Sequence, residues 1–186
     1  MLTALLLLAA AAHAESPYFR VAGQDLTTRT LYQLALLTDG ESLTYNVYQP
    51  ENPSYPISMI AAAVRDSSEE SIREIRVIAP RAFQVSRPAL NIYEISTDAL
   101  NDPARFPAKF VEDPQRGLGP LWGFFDPVVI DGKVDAIVVS DHGLAADEGI
   151  LRHEIAHRWY AAYCIDRYVT LTSEEFARRV EASLGR

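Results

Sequence analysis

The sequence predicts a single α+β domain in which helices cover a small mixed or antiparallel sheet, and three observations carry that reading. Residues 90–95 alternate in the manner of a strand. Residues 128–130 and 134–139 flank Asp131-Gly132, the dipeptide that two-residue hairpin turns favour. Residues 147–163 and 172–184 instead repeat their apolar side chains at helical spacing behind capping residues. The 186 residues suit one hydrophobic core, and no repeat or low-complexity tract interrupts them.

Taken in order, residues 1–14 (MLTALLLLAAAAHA) form an apolar run too short to span a bilayer and end in Ala12-His13-Ala14, a small-x-small pattern suited to signal peptidase. The expectation is a signal peptide over 1–14 and a mature domain over 15–186, although the leader has no Lys or Arg of its own. No cysteine follows the run to carry a lipid, and no later segment is apolar enough for a membrane helix, so an exported, periplasmic or secreted product without a stable membrane anchor is expected. Thr27 or Thr28 caps a predicted helix bearing Leu31, Leu34, Ala35 and Leu37, with Asp39-Gly40 as its stop. Residues 48–56 read as a loop and residues 57–64 as a short buried helix. Residues 72–78 favour a strand at their end, through Ile75 and Val77 before Ala79-Pro80. Residues 101–123 carry several Pro and Gly and read as a long surface excursion.

The hairpin then leads through Asp141-His142-Gly143 to Asp147, which caps a helix running to about Tyr163 with Leu151, Ile155 and Ala162 on its apolar side. Thr172 caps the last helix, with Glu175 as its capping-box partner and Phe176, Val180 and Leu184 behind it. Cys164 is the only cysteine, which excludes an intrachain disulfide and is read as a core residue. A formal charge of −8 with scattered Arg argues against nucleic acid as a partner.

The chemistry lies in His153-Glu154-Ile155-Ala156-His157, an HExxH motif that holds two of the four histidines in the chain. Residues four apart on a helix project from one face, so His153 and His157 can reach one tetrahedral metal, for which Zn2+ is the natural ion. Glu154, one residue after the first ligand, is placed to take a proton from water as general base. Two imidazoles and a water do not complete a protein zinc site, so a third ligand is expected downstream.

Here the sequence resembles the zincin metallopeptidases, in particular a minimal, single-domain form of the gluzincin branch, whose third ligand is a Glu on the following helix in an ExxA context. Glu174-Glu175-Phe176-Ala177 fits that context, with sixteen residues between His157 and Glu174. Glu174 lies nearer the Phe176, Ala177 and Val180 face, whereas Glu175 has its own use in the capping box. The resemblance therefore implies His153, His157 and Glu174 as metal ligands, with Glu175 and Asp166 as alternatives for the third. Where the family often has an Asp four residues after its ligand Glu, this chain has Arg178, so another carboxylate, Asp166, is the candidate to support a ligand histidine. Tyr160 and Tyr163 occupy the positions that the metzincin pattern gives to Gly and its final ligand, which disfavours that branch.

In the family the strand before the motif helix is an edge that binds extended peptide, and residues 134–140 hold the corresponding place. Peptide or protein is thus the implied substrate, with His142, Tyr160, Tyr163 and Tyr168 as candidate donors to a developing oxyanion. For the tyrosines, ring packing is the commoner role. The leading expectation is an exported zinc metallopeptidase with Glu154 as general base. Its alternatives are a zinc-stabilised, catalytically inactive exported binding protein and a metal-free interaction protein in which the motif is accidental. Residues 101–126 are expected to shape the cleft.

Overall fold

A computed structural model describes residues 4–8, 30–38, 40–87, 89–101, 122–126, 135–140 and 149–185. Over these residues the chain is α+β, as expected, with a six-stranded mixed sheet.

The first hairpin corrects the sequence reading. Residues 30–38 form strand β2 (Thr30–Thr38), not a helix, and pair antiparallel with β3 (Glu41–Gln49). Thr38 pairs with Glu41, so only Asp39-Gly40 separates the strands, and Gly40 has the positive φ of +82° that a two-residue hairpin turn requires. Leu31, Leu34 and Ala35 satisfy a helical spacing as well as a strand. The turn and the alternating apolar positions Leu43, Tyr45 and Val47 across the hairpin decide the matter, and Leu34 and Leu36 are the residues that become buried. On its other side β2 pairs antiparallel with β1 (Ala4–Leu8), part of the apolar N-terminal run.

Helix α1 (Ile57–Ile78) is also longer than the expected 57–64, and it absorbs the segment read as ending in a strand. No Gly or Pro interrupts it before Pro80, and its buried positions Ile60, Val64, Ile72 and Ile75 follow the helical period. Val77, half of the supposed strand signal, is exposed. Three buried serines, Ser67, Ser68 and Ser71, obscure the apolar stripe in the middle of the helix, because small polar side chains let a second helix approach closely there.

Strand β4 (Leu90–Ile95) forms where the alternation places it. It lies between β3 and β6 (Asp135–Ser140), parallel to both, and β5 (Gly123–Asp126) pairs antiparallel with β6. The order is therefore β1-β2-β3-β4-β6-β5. The hairpin residues 127–134 lie outside the described residues. Every residue of β6 is buried, as expected for a strand with parallel and antiparallel neighbours and both faces covered.

Helix α1 and the motif helix α3 (Gly149–Ala162) pack on one face of the sheet, and the last helix α4 (Ser173–Leu184) packs against both of them. The other face carries a smaller cluster around Tyr48 and Tyr93, whose rings stack with centroids 4.6 Å apart, and the short helix α2 (Thr97–Leu100) contributes Leu100 to it. Among the described residues no helix is long and apolar enough to cross a membrane.

Gly123 sets how closely β5 passes the start of α3. A Cβ at that position would lie 2.7 Å from Ile150 Cγ2 and 3.1 Å from the Val138 carbonyl oxygen. Gly123→Ala is expected to lower stability by about 1–3 kcal/mol, the usual cost of an overpacked site, measured as a shift in the urea midpoint at unchanged m-value.

Candidate metal centre

Helix α3 buries Leu151, Ile155, Trp159 and Ala162 against α1 and the sheet, which turns His153 and His157 toward α4. The helix ends at Ala162, and Cys164, with φ of +49°, reverses the chain into a 3-10 turn over Ile165–Arg167. Cys164 is half-buried at this reversal and lies outside the core cluster, which corrects its reading as a core residue. Thr172 then starts α4: its hydroxyl accepts from the Glu175 amide at 3.2 Å, and its own amide donates to Glu175 Oε2 at 2.9 Å. This capping box directs Glu175 back to the helix start and leaves Glu174 facing the histidines.

Three potential ligand atoms converge there. His153 Nε2 and His157 Nε2 are 3.0 Å apart, and Glu174 Oε2 lies 3.3 Å from the first and 3.5 Å from the second. Zinc–nitrogen and zinc–oxygen bonds of about 2.0–2.1 Å at tetrahedral angles require ligand atoms roughly 3.3 Å apart, so the three residues fit a zinc ion. Three protein ligands are also the number found where zinc keeps a fourth position open. The same three residues form the one group of His, Cys, Asp or Glu side chains among the described residues with this convergence.

The outer nitrogens of both rings are held as well. His153 Nδ1 donates to Glu181 Oε2 at 3.1 Å, and His157 Nδ1 lies 2.6 Å from Ser173 Oγ. A carboxylate can only accept, so Nδ1 of the neutral His153 ring carries the proton and Nε2 presents a lone pair to the cluster. Such outer partners orient metal-ligating imidazoles. Glu181 and Ser173, not Asp166, are the side chains placed to do this, and Arg178 Nε donates to the outer oxygen, Oε1, of Glu174 at 2.9 Å. Arg178 thus steadies the carboxylate.

The electrostatics favour a cation. Burial works against charge on His153, but Glu154 first, then Glu181 and Glu174, outweigh it and raise its pKa. Burial, reinforced by the neighbouring His153, lowers His157 to about 4, so this ring is neutral at pH 7. Glu174 is opposed by partial burial, yet His153, His157 and Arg178 hold its carboxyl below the usual range. Glu154 itself is buried, at 8% exposure, beside His153.

The other candidates lie elsewhere. The Tyr160 hydroxyl donates to the Leu171 carbonyl at 2.6 Å and its ring leans on Phe176, so it braces the turn into α4. Tyr163 is buried beside Trp159, where burial and a hydrogen bond with Glu41 raise its pKa. Tyr168 is exposed on the turn, and His142 lies outside the described residues. Nor is β6 an edge strand: β4 and β5 flank it, and among the described residues β5 is the outer strand on this side. Glu181 escaped the sequence reading although a signal exists, since it follows Glu174 by two helical turns and so shares its face. Ser173 carries no comparable signal.

No family model, curated protein or solved structure matches the chain.

Proposed function

We propose that this protein is an exported, zincin-like zinc metallopeptidase that hydrolyses peptide bonds. The observation that carries the reading is the convergence of His153 Nε2, His157 Nε2 and Glu174 Oε2 at 3.0–3.5 Å, on an HExxH helix followed by a Glu-bearing helix. When bound, zinc supplies Lewis acidity, which polarises a carbonyl and makes a water easier to deprotonate.

The chain's own residues do the rest. His153, His157 and Glu174 hold the ion, while Glu181 and Ser173 fix the tilt and tautomer of the two rings. Glu154 accepts at a carboxylate oxygen the proton that an attacking water gives up, and returns it to the leaving amine nitrogen. An extended peptide can lie along the outer strand β5, next to the start of α3, by main-chain hydrogen bonds. With Tyr160 and Tyr163 engaged elsewhere, His142 is the candidate donor to the oxyanion.

The purified protein is expected to contain about one zinc per chain by elemental mass spectrometry, and His157→Ala and Glu174→Ala to lose it. Failure of the parent to take up zinc, even on reconstitution, would remove the hydrolase reading. Zinc retained without cleavage of any member of a peptide library would place the protein among zinc-stabilised binding proteins instead. Export is tested separately: the intact mass of protein recovered from outside the cytoplasm is expected to fit a chain starting at Glu15. In that product β1 would be gone and β2 would become the outer strand. A retained Met1 would overturn the signal-peptide assignment.

A further inference from the structure

A second cluster, independent of the metal reading, lies where Arg158 points away from His157 and toward the sheet. Arg158 is 2% exposed, and its Nε and Nη1 are buried without a hydrogen-bond partner among the described residues. The nearest carboxylate is Asp135, at the start of β6, but both of its oxygens are already taken by Arg87: Oδ2 accepts from Nε at 2.6 Å and Oδ1 from Nη2. Arg158 Nε stands 3.7 Å from Asp135 Oδ2, beyond hydrogen-bond range. Two guanidinium groups thus share one carboxylate, and a net positive charge is left beneath α3.

That charge opens onto a cleft of about 580 Å³. It forms because β4 begins opposite Tyr45, leaving residues 41–44 of β3 without a β4 partner, while the loop into β4 passes beside them. Ser42, Thr44, Gln84 and Ser86 join Arg87 and Arg158 on its walls, and among the described residues no acidic side chain lines it. A guanidinium keeps its proton at pH 7 even when buried, so Arg158 brings a full positive charge to this wall. A buried charged donor without a hydrogen-bond partner costs more than a neutral one. An anion in the cleft would balance the excess positive charge of the two arginines.

We infer that this cleft binds a small molecule through a phosphate or carboxylate head group, with Arg158 and Arg87 as charge partners and the hydroxyl-bearing wall as further donors. A head group of this kind meets forked donors from the two arginines, and the cleft volume falls in the range of small-molecule sites.

The test is calorimetric titration of the full chain with inorganic phosphate and, separately, with succinate, at ionic strength held constant with sodium chloride. Saturable binding of at least one probe at one site per chain is expected, and the tighter probe identifies the head group as phosphoryl or carboxylate. Arg158→Met is expected to abolish binding. Should that variant not fold, Ser86→Asp decides, since it places a carboxylate on an exposed wall of the cleft and leaves both arginines in place; it is expected to weaken binding at least about tenfold. No saturable binding of either probe to the folded parent, or binding unchanged in Ser86→Asp, would overturn the proposal.

Discussion

Glu154→Gln is expected to keep the parent's zinc content and melting temperature while lowering peptide turnover by about 10²–10⁴-fold, the range associated with a positioned acid–base group. The substitution preserves size and hydrogen-bonding capacity at a site that is 8% exposed, so the helix should accept it without repacking. What it removes is the ability to take up a proton. Since none of the three converging atoms belongs to residue 154, metal binding should be indifferent to the change. The comparison is made on whichever library peptide the parent cleaves, with zinc measured on the same preparations. Parental turnover by the zinc-loaded variant would mean that Glu154 is not the base, and a fall in zinc content would mean that it serves the metal.

Trp159→Ala carries the largest expected cost to the fold, about 3–5 kcal/mol. Trp159 is fully buried in α3, its ring packs near Tyr163, and the Arg158 guanidinium carbon lies 4.9 Å from its ring centroid. Its indole Nε1 donates to Ser68 Oγ of α1 at 2.8 Å, so one residue joins the motif helix to the longest helix among the described residues. Truncation removes both the apolar contacts and a buried hydrogen bond. Against a typical total of about 5–15 kcal/mol, a loss of this size leaves little margin, and zinc affinity should fall with it because α3 would no longer be held against α1. Equilibrium urea unfolding measures the first effect and competition with a chelator the second. A loss below about 1 kcal/mol would show that α3 is held chiefly by its other contacts.

Much of the candidate centre was legible in the sequence because its geometry is local. Four residues on one helix bring His153 and His157 together whatever surrounds them, and the Thr172–Glu175 capping box separates the roles of the adjacent Glu175 and Glu174 before any packing is considered. The strand at Leu90–Ile95 and the apolar side of the motif helix follow from period alone. Where two periods fit the same residues, local pattern failed. Leu31, Leu34 and Ala35 suit a helix until the Asp39-Gly40 turn and the facing strand are seen, and the serines of α1 hide a continuous helix until α3 is packed against them: Ser67 donates to the Arg152 carbonyl and Ser68 accepts from Trp159.

By itself the sequence determined what depends on neighbours along the chain: the histidine pair, the capping box that starts α4, the strand β4 and the exclusion of an intrachain disulfide. Only the tertiary structure decided what depends on neighbours across it. The meeting of Glu174 with the histidines at 3.3 and 3.5 Å, the support of the rings by Glu181 and Ser173, the interior position of β6 and the unsatisfied donors of Arg158 all require segments distant in sequence to pack at a fixed register. Register between elements is set by the filling of the whole core, and no window of consecutive residues encodes it.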